Sequence, residues 1–240
     1  SGGPPTWLGV ALGDIVAGMN TAYAIMLALY QRTHTQKGQF IDISMYDTVV
    51  ALAERSVSSY SLANNILERG REPYMAPWGP FQCKDGWVAL IVATERDWHK
   101  FCQAIDRPDL IEREGATSGP ERAKSMSGWL GEIIEEWFAK CSKSEAVTKL
   151  LDAGLAIGPV QNAQEVYECP HLEARKTLVD IPDPILGQVK LVGSPIRLSS
   201  SLDPITQPAP LLGENSREIL RDTLGYSDEK IESLAQQGVF

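Results

Sequence analysis

The sequence predicts an α/β protein with a second, small α+β domain, and three observations support this prediction. A long apolar segment follows Asp14, and a stretch of alternating apolar and polar residues comes after it. Further along, the pair Asp85-Gly86 lies between two apolar runs, which is a strong signal for a β-hairpin. At 240 residues the chain is long enough for one large domain or two modest ones.

The first part of the chain, residues 1–65, has the pattern of an α/β unit. Residues 15–32 are rich in Ala, Met and Leu and predict a helix, with Asp14 as its N-cap because a carboxylate can accept the free N–H groups of the first turn. Residues 39–44 alternate in polarity and predict a strand. Residues 45–65 predict a second long helix.

The apolar stretch 15–30 is expected to be a buried helix. It is shorter than the roughly 20 apolar residues that a membrane span needs, and polar residues interrupt it. The start of the chain has neither a basic nor an apolar segment, so no secretory signal is predicted. It has no initiator Met, and we expect it to be part of a longer protein.

The remaining chain divides by composition. Residues 66–80 are dense in Pro and Gly and predict a linker. Residues 81–157 predict the small α+β domain, in which a hairpin precedes helices at 95–105, 127–140 and 143–153. Residues 158–240 predict short strands, a helix at 163–168, a proline-rich extended crossing at 204–210 and two C-terminal helices. Asn215 with Glu218, and Ser227, are the expected caps of those last helices.

Composition excludes several classes of function. The formal net charge is −9 and no basic run is present, which argues against nucleic acid or an anionic membrane surface as a partner. Four widely spaced cysteines predict reduced thiols in the cytoplasm. The three histidines show no metal-ligand spacing, so no metal site is expected.

Taken by residue type alone, the candidate carboxylates look structural. Asp14 fits a helix cap, and Glu95 fits an acid in the first turn of a helix that Thr94 caps.

A wider set of motifs changes the interpretation of Asp14. The sequence resembles the family III CoA-transferases, of the formyl-CoA transferase and carnitine CoA-transferase type, and the resemblance extends over nearly the whole chain in order. The segments that carry it are GVALGDIVAG at 9–18, TQKGQ at 35–39, DISMYD at 42–47, GPFQCKDGW at 79–87, GPV at 158–160 and APLLGE at 209–214. The spacing of these motifs is more specific than any one of them.

The resemblance implies that Asp14 is a nucleophile, with Gly13 beside it in a coenzyme A site. In this family the carboxylate attacks an acyl-CoA, forms a mixed anhydride and then an aspartyl-CoA thioester, and passes CoA to a small carboxylic acid. Coenzyme A is thus a substrate, and no metal is implied. The resemblance also implies that residues 1–65 and 158–240 belong to a Rossmann-like large domain, whose N-terminal half would precede Ser1, in an interlocked homodimer.

Two alternatives stay open. An acyl-CoA racemase or epimerase of the same superfamily would use Glu95 in moving an α-proton. A non-catalytic fragment or subunit would only bind a partner chain. One departure concerns specificity: formyl-CoA transferases have a run of glycines before the hairpin, whereas residues 67–80 contain only Gly70 and Gly79. This weakens the case for formyl-CoA and oxalate as substrates. The protein is expected in the cytoplasm, or in mitochondria if it is eukaryotic.

Overall fold

The computed structural model describes residues 6–67, 74–200 and 207–240. It divides into two compact units, Ser1–Gly158 and Pro159–Phe240. Both units combine helices and short strands, which agrees with the mixed class predicted from the sequence. The Rossmann-like large domain and the interlocked dimer stay predictions.

Three helices precede the linker. They are α1 (Leu12–Thr35), α2 (Met45–Leu52) and α3 (Glu54–Ala63). Helix α1 is longer than predicted, and its N-cap is Ala11, so the prediction that Asp14 caps it is wrong. Residues 39–44 form no strand, because no described segment offers them backbone hydrogen bonds; the exposed Phe40 fits this result. The second long helix is interrupted at Ala53, which ends α2 and begins α3.

Helix α1 is exposed, so the prediction of a buried helix is wrong for this chain. Ala17 is its one buried residue, and large apolar side chains on several faces are open to solvent, among them Met19, Ile25, Leu27 and Tyr30. Among the described residues, α2 packs against one side of α1, and nothing described covers the other faces. By length and composition alone, α1 could also cross a membrane, but core helices of soluble proteins share these properties.

The small domain begins with the predicted hairpin. Strands β1 (Trp78–Cys83) and β2 (Gly86–Ile91) pair antiparallel, with Cys83 opposite Gly86 across a two-residue turn. Gly86 has a φ of 144°, which favours glycine over any other residue. Strand β3 (Ala156–Pro159) lies next to β2 in the same sheet.

Five helical elements lie between β2 and β3 in the chain. They are α4 (Glu95–Ala104), a short 3-10 helix (Pro108–Leu110), α5 (Gly119–Ser125), α6 (Trp129–Ala139) and α7 (Lys143–Asp152). Two of them, α6 and α7, pack against β1 and β2. The sequence predicted α4, α6 and α7 within two residues at each end; it missed the 3-10 helix and α5. Alternate strand residues point into the core, such as Val88 and Leu90 on β2, as a half-buried strand requires. Phe81 stacks on Phe138 with ring centroids 4.8 Å apart.

The second unit contains short elements. They are α8 (Ala163–Tyr167), α9 (Pro170–Ala174), the antiparallel strands β4 (Leu178–Asp183) and β5 (Gly187–Val192), α10 (Ser216–Glu218) with a π-helical segment (Ile219–Thr223), and α11 (Asp228–Gln236). The predicted helix at 163–168 and the Ser227 cap of α11 are confirmed. Asn215 bonds to the Glu218 side chain and does not cap the backbone, so that capping box is wrong. Residues 204–206 of the predicted crossing lie outside the described residues.

Candidate functional site

Asp14 lies in the first turn of α1, three residues after the N-cap Ala11. Its side chain is exposed, and within the described part of the chain no hydrogen bond or ion pair engages the carboxylate. The positive end of a 24-residue helix stabilises a negative charge at this position by roughly 0.3–1 kcal/mol. The arrangement therefore leaves the Asp14 carboxylate open to solvent, with no other described side chain bonded to it.

The backbone around Asp14 offers hydrogen-bond donors. Leu12 N–H donates to the Val10 carbonyl at 2.9 Å, and Ile15 N–H to the Ala11 carbonyl at 3.0 Å. Gly13 and Asp14 lie between these two residues, and no described residue accepts a hydrogen bond from their N–H groups. Such free donors are usual in the first turn of a helix. Two free donors thus lie next to the candidate nucleophile.

Gly13 lies on the side of α1 that faces α2. A Cβ atom at this position would be 3.6 Å from Val49 Cγ2 and 3.8 Å from Met45 Cε, both ordinary contact distances. Packing against α2 would therefore accept an alanine. The glycine is not explained by the fold of the described residues.

Glu95 begins α4 in the small domain. As predicted, Thr94 is the N-cap, and its hydroxyl accepts from the Asp97 N–H in a full capping box. The Glu95 side chain makes a second set of contacts that the sequence did not indicate. Its two oxygens each accept a hydrogen bond from Arg122, at 2.8 Å.

Arg122 is the buried charge of the small domain, with 2% of its side chain exposed. Besides Glu95, it donates to the carbonyls of Ala76 at 2.9 Å and Ala116 at 3.0 Å. Its guanidinium lies over the Trp98 ring, 4.9 Å from the centroid, which is a cation–π distance. All of these partners are at least six positions away in sequence, so no local pattern could have found this cluster.

The surroundings of Glu95 set its protonation. The hydrogen bonds from Arg122 are the main cause that lowers the pKa of the Glu95 carboxyl, and the Gly119 N–H also contributes. An acid that exchanges protons at neutral pH usually has a raised pKa. Glu95 is therefore suited to a structural role and poorly suited to moving a proton.

The structure places the candidate residues in two separate groups. Gly13 and Asp14 share the first turn of α1, whereas Glu95 belongs to the Arg122 cluster. Within the ranges that the structure describes, no hydrogen bond or ion pair joins Asp14 to Glu95. In the same ranges, no group of three or more His, Cys, Asp or Glu side chains is arranged to hold a metal ion.

Comparison with known proteins identifies the family. Residues 1–216 match the model of CoA-transferase family III. The chain is 32% identical over 237 residues to the succinyl-CoA:mesaconate CoA-transferase of Haloarcula hispanica. The alignment covers 97% of this chain and 59% of that protein. It is 31% identical over 261 residues to the formyl-CoA:oxalate CoA-transferase of Rhodopseudomonas palustris, covering 98% and 61%. The chain belongs to CoA-transferase family III, and the resemblance predicted from the motifs is confirmed.

The fold is also that of a solved structure. A CaiB/BaiF family protein from Brucella suis superposes with a TM-score of 0.74 at 23% identity, over 92% of this chain and 57% of that one. The chain thus spans about three fifths of the length of the curated relatives it matches.

Proposed function

We propose that this chain is the nucleophile-bearing part of an enzyme that transfers coenzyme A from an acyl-CoA to a carboxylic acid, with Asp14 as the nucleophile. The observation that carries the proposal is the position of Asp14: an exposed carboxylate in the first turn of α1, unengaged by the described residues, in a chain of this family. A carboxylate nucleophile needs no general base to remove a proton as it attacks, unlike the hydroxyl of a serine.

The reaction has four steps. The Asp14 carboxylate attacks the thioester carbonyl of the donor and releases the CoA thiolate, which leaves a mixed anhydride. The thiolate then attacks the aspartyl carbonyl, so that the donor acid leaves and an aspartyl-CoA thioester forms. The acceptor carboxylate attacks this thioester and releases the thiolate again. Finally the thiolate takes the acceptor acyl group, which restores the Asp14 carboxylate.

The first turn of α1 contributes to this chemistry by positioning the reacting groups and the hydrogen-bond donors. Each tetrahedral intermediate carries a negative oxygen, and the free N–H groups of Gly13 and Asp14 are donors that could stabilise it. One such donor is typically worth about 3–4 kcal/mol. Holding the two reactants in line contributes about 7–11 kcal/mol in favourable cases.

We further propose a dicarboxylic acid as the acceptor. The relatives described above are named for mesaconate and for oxalate, which are both dicarboxylic acids. Residues 67–80 lack the glycine run expected for formyl-CoA and oxalate. The longer acids, with succinyl-CoA as donor, are therefore the first pair to test.

The racemase alternative has less support. It needs a carboxyl at Glu95 that takes up and releases a proton, but Arg122 holds both oxygens of this carboxylate and lowers its pKa. Exchange of the substrate α-proton with deuterium, without CoA transfer to an added acid, would favour this alternative.

The proposal is tested on the complete gene product that contains this sequence. Succinyl-CoA is added, hydroxylamine traps the acyl-enzyme, and mass spectrometry locates the adduct; we expect it on Asp14. The substitution Asp14→Asn keeps the shape and removes the nucleophile, so turnover should fall by about a thousandfold or more. Undiminished turnover of this variant, or an adduct on another residue, would sink the covalent route.

Gly13→Ala serves as the matched companion variant. Its Cβ would make only ordinary contacts with α2, so we expect folding to be preserved. A raised KM for succinyl-CoA in a folded Gly13→Ala protein would support close approach of the ligand to this turn. An unchanged KM would remove Gly13 from the site and leave the role of Asp14 intact.

A further inference from the structure

Strand β1 forms an open edge of the small-domain sheet. The strand order is β1-β2-β3, so among the described strands β1 has a hydrogen-bonded neighbour on one side only. Cys83 pairs with Gly86 across the two-residue turn, so the odd-numbered residues of β1 bond to β2. The Pro77 carbonyl, which accepts from the Val92 N–H at 3.0 Å, continues this alternation. The even-numbered residues therefore point their backbone groups away from the sheet, and no described residue bonds to the N–H or the carbonyl of Gln82.

The composition of β1 does little to protect this edge. Natural edge strands are usually shielded by charged side chains, bulges or proline. Strand β1 has no charged residue, and its Pro80 occupies an outward position, where the missing N–H costs no bond to β2. Gln82, two positions further on, has both its N–H and its carbonyl directed outward. The edge can therefore exchange a pair of hydrogen bonds with an added strand.

A groove runs along this edge between β1 and α6. One cavity of about 390 Å³ has Gln82 of β1, Trp87 of β2 and Glu135 of α6 among its lining residues. A second cavity, also of about 390 Å³, shares Glu135 and extends to Glu132 and Gly128 at the start of α6. Helix α6 has 11 residues and is about 16 Å long, which equals about five residues of extended chain. The groove thus has the length of a short strand.

The two sides of the groove differ in chemistry. Glu132 and Glu135 line the α6 side, whereas no lysine, arginine or histidine is among the described residues that line either cavity. On the other side Trp87, which is 45% exposed, offers an apolar ring. A strand added to β1 directs alternate side chains to opposite sides, towards α6 and towards Trp87. A segment in which basic residues alternate with apolar ones therefore complements both sides.

We propose that this groove binds an extended segment of another protein, in which lysine or arginine alternates with apolar residues, as an additional strand on β1. The backbone of Gln82 holds the segment through main-chain hydrogen bonds, and the carboxylate of Glu132 selects its charge. The site shares no residue with the first turn of α1, so it does not depend on the proposed transfer reaction.

A labelled peptide tests the proposal on the complete gene product. The probe is a fluorescein-labelled hexapeptide of alternating valine and lysine, and its binding is measured by fluorescence anisotropy. We expect saturable binding that is about tenfold weaker or more when glutamate replaces the lysines, and likewise when the peptide backbone is N-methylated. Absence of binding by the valine–lysine peptide would overturn the proposal. Equal binding of either modified peptide would do the same.

Substitutions in the groove locate the bound peptide. Gln82→Pro removes the outward N–H and leaves the bonds to β2 in place, whereas the matched Gln82→Ala retains that N–H. We expect Gln82→Pro to weaken binding about tenfold or more and Gln82→Ala by less than about twofold. The N-methylated peptide probes the same bonds without a substitution in the protein.

A second pair of variants tests the charge. Glu132→Gln should weaken binding of the valine–lysine peptide by about two- to fivefold, because one exposed attraction is lost. Glu136→Gln, on the same helix but outside the groove and paired with Lys140, should leave the affinity unchanged. Equal affinities of the two Gln82 variants, or of the two glutamate variants, would show that the peptide does not bind as proposed.

Discussion

Both oxygens of the Glu95 carboxylate accept hydrogen bonds that stabilise the fold. Arg122 donates a hydrogen bond to each of them. A single carboxylate thus compensates the charge of the buried guanidinium. The same residue type at the same position could have been an acid–base group, and only its partners separate the two roles.

This pairing makes the stability of the small domain depend on pH. Because the pKa of Glu95 is lowered in the folded protein, its contribution is fully present above the unfolded value of about 4.5 and is lost as the pH falls through the lowered folded value. At pH 7 we expect Glu95→Gln to reduce the free energy of unfolding by about 2 kcal/mol, below the 3–5 kcal/mol of fully buried pairs. Urea unfolding from pH 7 to pH 3 measures this.

The difference between the native protein and Glu95→Gln should shrink steadily below pH 4.5. Glu136→Gln, in its exposed pair, is the control and should show a much smaller difference at every pH. A difference between native protein and Glu95→Gln that stays constant down to pH 3 would contradict the role of the charge.

Single residues also mark the limit of prediction from sequence. The cap of α4 by Thr94 was predictable because all its partners lie within one turn. The Arg122 cluster was not, since its partners are brought together by the fold from positions 76 to 122. Asp14 was misplaced by one turn as an N-cap, because its side chain type fits both the cap and the first turn.

At the scale of elements, the turn of the hairpin also supports a helix. The Asp85 carboxylate accepts from the Lys143 N–H at 2.7 Å, which is the first N–H group of α7. This N–H cannot bond within its own helix, so the turn of one element caps the start of another.

Asp85→Ala should therefore destabilise the small domain by about 1 kcal/mol, the usual cost of a lost helix cap. The midpoint of urea unfolding is the measurement. Asp152→Ala, at the last residue of the same helix, is the matched control. We expect it to be neutral or slightly stabilising, because a carboxylate at a helix C-terminus opposes the dipole. An equal loss in both variants would argue against the cap.

Elements with strong local signals were predicted, and those that depend on partners were not. The hairpin follows from its Asp-Gly turn, and the start of α4 follows from its Thr94 cap. The expected strand at 39–44 has the right alternation, but a strand forms only beside another strand. The break between α2 and α3 at Ala53 was not predicted, because no Gly or Pro lies near it in the sequence. Helix α5 did have a signal, since Pro120 lies in its first turn.

At the scale of the whole molecule, exposed apolar side chains are distributed unevenly between the small domain and α1. The small domain has a closed core, whereas α1 presents Met19, Tyr23, Met26 and Tyr30 to solvent. Exposed apolar patches of this extent usually mark a surface that another polypeptide covers. Binding of the dye ANS should therefore be strong for the isolated 240-residue chain and several-fold weaker, per chain, for the complete gene product.

A variant of α1 tests whether the dye binds to this helix. Replacing Met19 and Tyr23 with Gln and Ser should lower the ANS signal of the isolated chain without lowering the stability of the small domain. Equal ANS binding by the isolated chain and the complete product would show that α1 stays uncovered.

The surface of α1 also bears on how this polypeptide behaves during preparation. A 24-residue apolar helix that no described residue covers on most of its faces will adsorb to detergent micelles and lipid vesicles as readily as to a protein. Sedimentation of the lone chain with the lipid fraction would then report an exposed apolar surface, and it should not be taken as a measure of where the protein resides in the cell.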